Sequence, residues 1–312
     1  MNVLPPAAPT PEQFLDDVRT AAGRVGAPFS ASATRRMREV FAEGFTSGAA
    51  LWKTTNRPGD DLSYRFYSRR RTDTVDIAQC AGLIPGEKAV LGTLVTSWSA
   101  LNGGAPVQSC DFDASSGLAK TWIFLAGTLP LDEVLSAPDV PGSLRRLSPK
   151  LRDRGLEHVR YCAVDYSRRS ANLYFRVRGP FSAAQLAGIT ALAGVPRQPS
   201  RKVAELAEYL PRGDYVAAVT IGIGTGVVER VAFYATQLPD DDLPILDQRL
   251  TRFFASVPSH DERAVNVVAW SFGMQGTYMK AERSWFGNVA SIFRRATVLV
   301  SGSDETDATL RA

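Results

Sequence analysis

Strand pairs recur along this chain at regular intervals, and helical patterns separate them. Alternating segments at 49–55 and 62–70, 106–111 and 118–126, 158–166 and 171–178, 215–222 and 227–236, and 265–272 and 276–285 are each joined by a short turn such as Asn56-Arg57-Pro58-Gly59. Tight turns impose antiparallel pairing. Between the pairs the apolar period changes to that of a helix. Phe14, Leu15, Val18, Ala22 and Val25 follow Pro11-Glu12 at helical spacing, and Met37, Val40 and Phe41 continue the pattern through the first 45 residues. Further helical patterns lie at 74–81, 88–101, 142–155, 181–193, 200–210, 243–257 and 286–295. The repeated unit, about five copies of helix, strand, turn, strand and helix, predicts an α/β chain of the α+β kind: one closed antiparallel sheet with helices outside. No Pro- or Ser-rich linker divides it, so a single domain is expected over 11–300, with a flexible leader at 1–10 and a flexible tail at 301–312.

Composition narrows the function classes. The 312 residues suffice for one large barrel, and 45 % hydrophobic with 22 % charged residues excludes a long disordered chain. No stretch approaches the roughly 18 apolar residues of a membrane span. The start has neither the basic residues nor the apolar core of a signal peptide. Cys80, Cys110 and Cys162 are odd in number and widely spaced, which argues against a disulfide framework or zinc site. His158 and His260 have no ligand-spacing partner. A cytoplasmic protein is expected, with no metal and no membrane partner. The net charge of +4 is mild, and the runs Arg69–Arg71, Arg168-Arg169 and Arg294-Arg295 read as solvated surface, not as a nucleic-acid footprint.

Strand faces carry the chemistry. Successive strand side chains point to opposite sides. One face of 171–178 carries Asn172, Tyr174, Arg176 and Arg178 against Ala171, Leu173, Phe175 and Val177. Arg230 shares a face with Tyr234, Tyr278 with Lys280 and Glu282, Lys120 with Trp122 and Phe124, and Arg65 with Ser63 and Tyr67; Lys53 follows Trp52. An ordinary half-wet sheet would scatter acids and small polar residues over these faces. Cations, phenols and almost no acid besides Glu282 are found instead, and the helices are needed to cover the apolar faces. The polar faces are therefore expected inside the barrel, where they would hold something anionic and something flat. Arg and Lys donors match phosphate oxygens, and tyrosine rings stabilise a nearby cation by about 0.5–2 kcal/mol each.

Other motifs are weaker. Asp240-Asp241-Asp242-Leu243-Pro244 lacks the spacing of a magnesium-binding acid cluster and reads as a loop and helix cap. Asp111-Phe112-Asp113 reads as a turn before the Lys120 strand. Gly222-x-Gly224-x-Gly226 precedes a strand, so it reads as a hairpin turn and not a dinucleotide loop.

Several segments are similar to the soluble bacterial aromatic prenyltransferases of the ABBA fold. They are Ala50-Leu51-Trp52-Lys53-Thr54-Thr55, Leu62-Ser63-Tyr64-Arg65-Phe66, Gly103-Gly104-Ala105-Pro106-Val107-Gln108-Ser109, Ala119-Lys120-Thr121-Trp122, Val164-Asp165-Tyr166, Ser170-Ala171-Asn172-Leu173-Tyr174-Phe175-Arg176, Trp270-Ser271-Phe272-Gly273 and Tyr278-Met279-Lys280-Ala281-Glu282-Arg283-Ser284. The likeness spans nearly the whole chain and is nearest to the aminocoumarin branch, which prenylates 4-hydroxyphenylpyruvate. It implies a ten-stranded antiparallel barrel wrapped in helices, with its active site in the lumen. Lys53, Arg65, Lys120, Asn172, Arg176, Arg230 and Lys280 would then bind diphosphate, and Tyr174, Tyr234 and Tyr278 would shield the dimethylallyl unit. Arg65 and Glu282 would be catalytic. The acceptor pocket would hold Ser63, Arg160, Cys162 and Glu282. Some relatives bind magnesium through an aspartate of the second strand; Ser63 stands at that position here, so the resemblance implies catalysis without a cofactor or Mg2+.

The expected reaction is Friedel-Crafts-like transfer of a dimethylallyl group from dimethylallyl diphosphate to an aromatic small molecule of secondary metabolism. The acceptor is expected to be of the 4-hydroxyphenylpyruvate or phenazine carboxylate type, and the protein a monomer. Two other classes stay open at this level: a non-catalytic carrier of an anionic aromatic ligand, and a single-strand nucleic-acid binder using open Arg/Tyr faces.

Overall fold

Ten strands, each hydrogen-bonded to its chain neighbours, form one antiparallel barrel that closes when the last strand returns to the first. A computed structural model of the chain describes residues 9–292 apart from 85, 87, 88 and 103–106. The strands are β1 (Ala49–Thr55), β2 (Ser63–Tyr67), β3 (Gln108–Asp113), β4 (Gly117–Pro130), β5 (His158–Asp165), β6 (Ser170–Val177), β7 (Tyr215–Gly222), β8 (Val228–Leu238), β9 (Asn266–Gly273) and β10 (Gly276–Phe286). The helices outside are α1 (Pro11–Val25), α2 (Ala31–Val40), α3 (Ala42–Ser47), α4 (Thr74–Cys80), α5 (Ala89–Ala100), α6 (Leu131–Ser136), α7 (Gly142–Arg145), α8 (Ser148–Arg152), α9 (Ala183–Thr190), α10 (Ser200–Tyr209) and α11 (Gln248–Ser256).

The main core lies between sheet and helices. Leu173, Phe175, Val231, Phe233, Trp270 and Phe272 turn outward and are buried against helical Leu91, Leu94, Trp98, Leu186, Ile189, Leu250 and Phe253. Phe14 of α1 packs within 5.0–6.0 Å of the Trp52, Tyr64 and Trp285 rings, which fixes α1 across the β2–β1–β10 seam. Each such ring contributes about 1.5–3 kcal/mol by burial.

Local chemistry sets the ends of these elements. Thr10 caps α1, accepting from the Gln13 amide at 3.2 Å, with Pro11 in the first turn and Gly26 left-handed after the last. Gly222-x-Gly224-x-Gly226 forms the β7–β8 hairpin turn, as its spacing suggests. Gly226 has φ +69°, and a Cβ there would lie 2.7 Å from the Ser143 carbonyl oxygen, so glycine is required on two counts.

Several elements differ from expectation. The 142–155 pattern is two short helices, because Pro149 in the first turn of α8 cannot continue the ladder of α7. The 243–257 pattern becomes helical only after Asp247, whose carboxylate accepts from the Leu250 amide at 2.9 Å. Asp240–Asp242 is therefore loop and not cap; Asp240 instead pairs with Arg283 at 2.5 Å. The third strand begins and ends two residues later than the pattern at 106–111. The helical pattern at 286–295 is β10 at its start and helix at 289–292. Residues 103–106 of the resemblance, Arg294-Arg295, the leader up to 8 and the tail at 301–312 lie outside the described residues. Among the described residues no helix is long and apolar enough to cross a membrane.

Candidate active site

Register decides which charges meet inside the barrel. Reading across neighbouring strands, Arg65 of β2 faces Asp111 of β3, which faces Lys120 of β4, which faces Asp165 of β5. The signs alternate, so this wall is largely self-compensated. Asp111 accepts from Arg65 Nε at 2.5 Å and Nη2 at 3.3 Å, and it also pairs with Lys53. Lys120 Nζ lies 3.6 Å from Asp165. Asp111 is 1 % exposed. Burial alone would raise its pKa, but the Arg65 and Lys53 cations hold it well below the usual carboxylate range. Asp113 accepts from Ser63 Oγ at 2.8 Å. The lumen is thus not nearly free of acid, and Asp111-Phe112-Asp113 is not a turn. It is a strand in which Cys110 and Phe112 pack outward and the aspartates inward.

The opposite wall is different. Among the described residues, neither Arg230 of β8 nor Lys280 of β10 has a carboxylate within ion-pair distance, while the cations opposite do. Arg230 Nε donates to Thr220 Oγ1 at 3.2 Å, and Thr220 donates to Asn172 Oδ1 at 2.8 Å. The Asn172 Nδ2 donor is buried without a partner. Lys280 Nζ donates to the Tyr234 hydroxyl at 3.3 Å. Burial, with Arg230, Lys120 and Lys53 nearby, pushes Lys280 well below its ordinary pKa; burial and Lys53 bring Lys120 down to about 8 against the pull of Asp165. Lys53, Lys120, Arg230, Tyr234 and Lys280 border a cavity of about 210 Å³ that Tyr278 also lines, and Thr220 and Asn172 stand behind Arg230. A site that concentrates unpaired donors and unneutralised cations is matched to an anion.

A second cavity, of about 130 Å³, is walled by Tyr67, Phe124, Tyr161, Val216 and Val267, with Arg160 at its edge. Arg65, Trp122, Tyr174, Tyr234 and Glu282 line both cavities and form the junction between them. Trp122 and Tyr174 rings are 4.6 Å apart and Tyr174 and Tyr234 5.7 Å. Burial pushes the Tyr174 and Tyr234 phenols above their ordinary pKa, so both stay neutral. The Arg65 guanidinium lies 3.9 Å over the Trp122 ring and donates to the Tyr67 hydroxyl at 3.0 Å, with Glu282 Oε2 at 3.5 Å. Three small residues, Ala163, Ala218 and Ala232, pack in one cluster with the Trp122 and Tyr174 rings.

Most of the expected residues converge here. Lys53, Arg65, Lys120, Arg230, Lys280, Tyr174, Tyr234, Tyr278 and Glu282 line the cationic cavity, and Asn172 stands behind Thr220. Three do not fit their expected places. Cys162 is fully buried in the outer core beside Leu173 and Ile123, not in the acceptor pocket. The irregularity between Val159 and Tyr161 explains the change of face: Val159 packs outward, Tyr161 turns inward, and Cys162 is outward again. Ser63 lies at the cationic end beside Asp113, away from the aromatic cavity. Arg176 is held by Asp214 at the end of β6, outside the lining of both cavities. Residues not anticipated for the site are Asp111, Asp113 and Asp165, whereas Tyr67 and Phe124 line the lumen as their strand faces indicate. The period-two alternation Ser109, Asp111, Asp113 against Cys110 and Phe112 is the sequence signal that reveals the first two. Apart from Arg176 and the exposed Arg178 at the end of β6, the Arg/Tyr faces line this lumen, which removes the continuous open surface that a single-strand binder would need.

A family model described as aromatic prenyltransferase Orf2 matches residues 10–297. The chain is 44 % identical over 301 residues to a 4-hydroxyphenylpyruvate 3-dimethylallyltransferase of Streptomyces niveus, covering 96 % of this chain and 93 % of that one. It is also 44 % identical over 286 residues to an aromatic prenyltransferase of Sclerotinia sclerotiorum, covering 90 % and 93 %. Among solved structures, the prenyltransferase PriB superposes with a TM-score of 0.59 at 12 % identity, covering 88 % and 95 % of the two chains. The 5-dimethylallyltryptophan synthase of Streptomyces coelicolor gives 0.59 at 12 %, covering 90 % and 98 %. These two likenesses concern the barrel fold.

Proposed function

The chain belongs to the aromatic prenyltransferase Orf2 family, and from that premise we propose how its lumen transfers a dimethylallyl group from dimethylallyl diphosphate to an aromatic acceptor. The observation that carries the proposal is the meeting of a cationic and an aromatic cavity at Arg65, Trp122, Tyr174, Tyr234 and Glu282.

The diphosphate docks against Lys120, Arg230 and Lys280, with Asn172 Nδ2 as a further donor and Lys53 and Arg65 at the margin. Lys120, Arg230 and Lys280 stabilise the charge that develops on the leaving oxygen, the kind of term that dominates catalysis at preorganised sites. As the C–O bond breaks, its electron pair leaves with the diphosphate. The allylic cation stays between Tyr174, Tyr234 and Tyr278, whose π faces stabilise it and whose bulk excludes water. The acceptor ring, held in the aromatic cavity at near-attack distance, supplies the electrons for the new C–C bond. Glu282, which reaches both cavities, takes the proton lost from the ring or from an acceptor OH or NH. Magnesium is not required, because Lys120, Arg230 and Lys280 supply the positive charge and Ser63 occupies the position where some relatives carry an aspartate.

The acceptor is an aromatic bearing a carboxylate, of the 4-hydroxyphenylpyruvate or phenazine carboxylate type. Support comes from the Streptomyces niveus relative and from Arg160 at the edge of the aromatic cavity. Incubation with dimethylallyl diphosphate and 4-hydroxyphenylpyruvate, a dihydrophenazine carboxylate or a dihydroxynaphthalene, with EDTA present, should yield a mass gain of one dimethylallyl unit on a carboxylated member. Activity that appears only with added magnesium would overturn the metal-independent mechanism. A product on the dihydroxynaphthalene alone would overturn the acceptor class.

A further inference from the structure

The cations of the lumen are neutralised unequally. Arg65 and Lys53 converge on one buried carboxylate, Asp111, whereas among the described residues Arg230 of β8 and Lys280 of β10 have no carboxylate within ion-pair distance. Asp111 takes both Nε and Nη2 of Arg65, which fixes the guanidinium plane. Only Nη1 is left to approach the Tyr67 hydroxyl and Glu282, and the plane lies over Trp122 at the junction of the two cavities.

That location poses two electrostatic problems for the proposed reaction. A bare guanidinium at the junction would repel an allylic cation forming against Tyr174 and Tyr234. Together with Lys53 it would also compete with Arg230 and Lys280 for the diphosphate. We propose that Asp111 is a positioning residue that removes both problems. It cancels the charge of the Arg65 side of the lumen, so the diphosphate is drawn to the Arg230 and Lys280 wall and the cation forms against tyrosine faces. An independent observation points to the same wall: the orphaned Asn172 Nδ2 donor belongs to the hydrogen-bond chain that ends on Arg230. The inference rests on the donor site described above.

Asp111 acts through Arg65, so its removal has a signature that structural damage lacks. Stripping the carboxylate leaves Arg65 with only Glu282 Oε2 at 3.5 Å and takes from Lys53 its carboxylate partner among the described residues, and an added anion compensates the excess positive charge. Affinity for diphosphate therefore rises while turnover falls. The experiment is calorimetric titration of inorganic diphosphate into the wild type, Asp111→Asn and the double variant Asp111→Asn/Arg65→Gln, with steady-state kinetics alongside. Asp111→Asn should bind diphosphate about tenfold tighter or more and lose about tenfold or more in kcat. The double variant restores the net charge and should return to within about threefold of wild-type affinity. An Asp111→Asn protein that binds diphosphate no tighter than wild type overturns the proposal. So does a double variant that loses more than about tenfold in affinity, because Arg65 would then be a direct diphosphate ligand. If Asp111→Asn alone does not fold, the double variant decides by the same limits. The titrations need no acceptor, so a wild type that binds diphosphate yet prenylates nothing in the panel counts against the acceptor and not against Asp111.

Discussion

Replacing Lys280 by Met should weaken the enzyme and strengthen the protein. Lys280 is half-buried and has no carboxylate within ion-pair distance among the described residues. Its nearest polar contact is a neutral phenol at 3.3 Å, and Arg230, Lys120 and Lys53 add like charge. Housing an ammonium there disfavours the empty folded state, since a partly desolvated charge without a carboxylate partner and beside other cations is destabilising. Methionine keeps most of the length and removes the charge. The melting temperature of the empty protein should therefore hold or rise by a few degrees, about 2–4 °C for each kcal/mol gained. With diphosphate bound the balance reverses. A charge-assisted hydrogen bond contributes about 1.5–3 kcal/mol net, so kcat/KM for dimethylallyl diphosphate should fall by roughly 10- to 150-fold. Differential scanning calorimetry of the empty protein and initial rates at saturating acceptor measure the two quantities. A variant that melts several degrees lower and keeps wild-type kcat/KM would show that Lys280 is a structural cation and would refute the reasoning.

Four other perturbations follow from the same geometry. Glu282→Gln should lower kcat by about 10²–10⁴-fold with little change in KM for the donor, as expected for loss of a general base; unchanged rates would remove Glu282 from proton transfer. Tyr174→Ala opens the wall behind the allyl unit, so the ratio of dimethylallyl alcohol to prenylated product should rise, which chromatography of the reaction measures. Lysine protonation makes the site pH-dependent. Lys120 falls to about 8 in the empty protein, so diphosphate affinity should drop as pH rises through about 8. Over the same window, up to the unfolded lysine value of about 10.4, the unfolded chain binds more protons than the folded one, so stability of the empty protein should rise with pH; titrations and melting curves at pH 7 and 9 with opposite trends would bear this out, and parallel trends would not. Gly226→Ala forces a left-handed non-glycine residue against the Ser143 carbonyl and should cost about 1–3 kcal/mol by chemical denaturation without altering KM.

Alternation carried much of the architecture. The first strand is bounded at 49–55 as its pattern indicates, and Lys120, Arg230, Lys280 and Glu282 point inward because period two places them opposite Val231, Phe233, Ala281 and the other core residues. Parity fails where a strand is irregular. Arg160 sits at such a place, and counting past it cannot tell that Tyr161 faces the lumen while Cys162 faces the helices. Turn propensity misled at Asp111 and Asp113, since Asp is common in turns but is also stable inside a barrel when Arg65, Lys53 and Ser63 satisfy it. The unequal neutralisation of the two walls was not legible at all. It depends on which strands are neighbours and in what register, a long-range property that composition of a single face does not contain. Arg176 illustrates the same limit: its face is right, but Asp214, remote in sequence, holds it away from the site.

The central claim is that one lumen holds the donor's diphosphate on the Arg230 and Lys280 wall and its allyl group at the junction with the aromatic cavity. A crystal structure with a dimethylallyl thiolodiphosphate analogue, its sulfur located by anomalous scattering, tests this most directly. The account predicts phosphate oxygens within hydrogen-bond reach of Lys280, Arg230 and Lys120, and the allyl carbons between Tyr174 and Tyr234. An analogue whose diphosphate sits in the aromatic cavity, or outside the barrel, would contradict it.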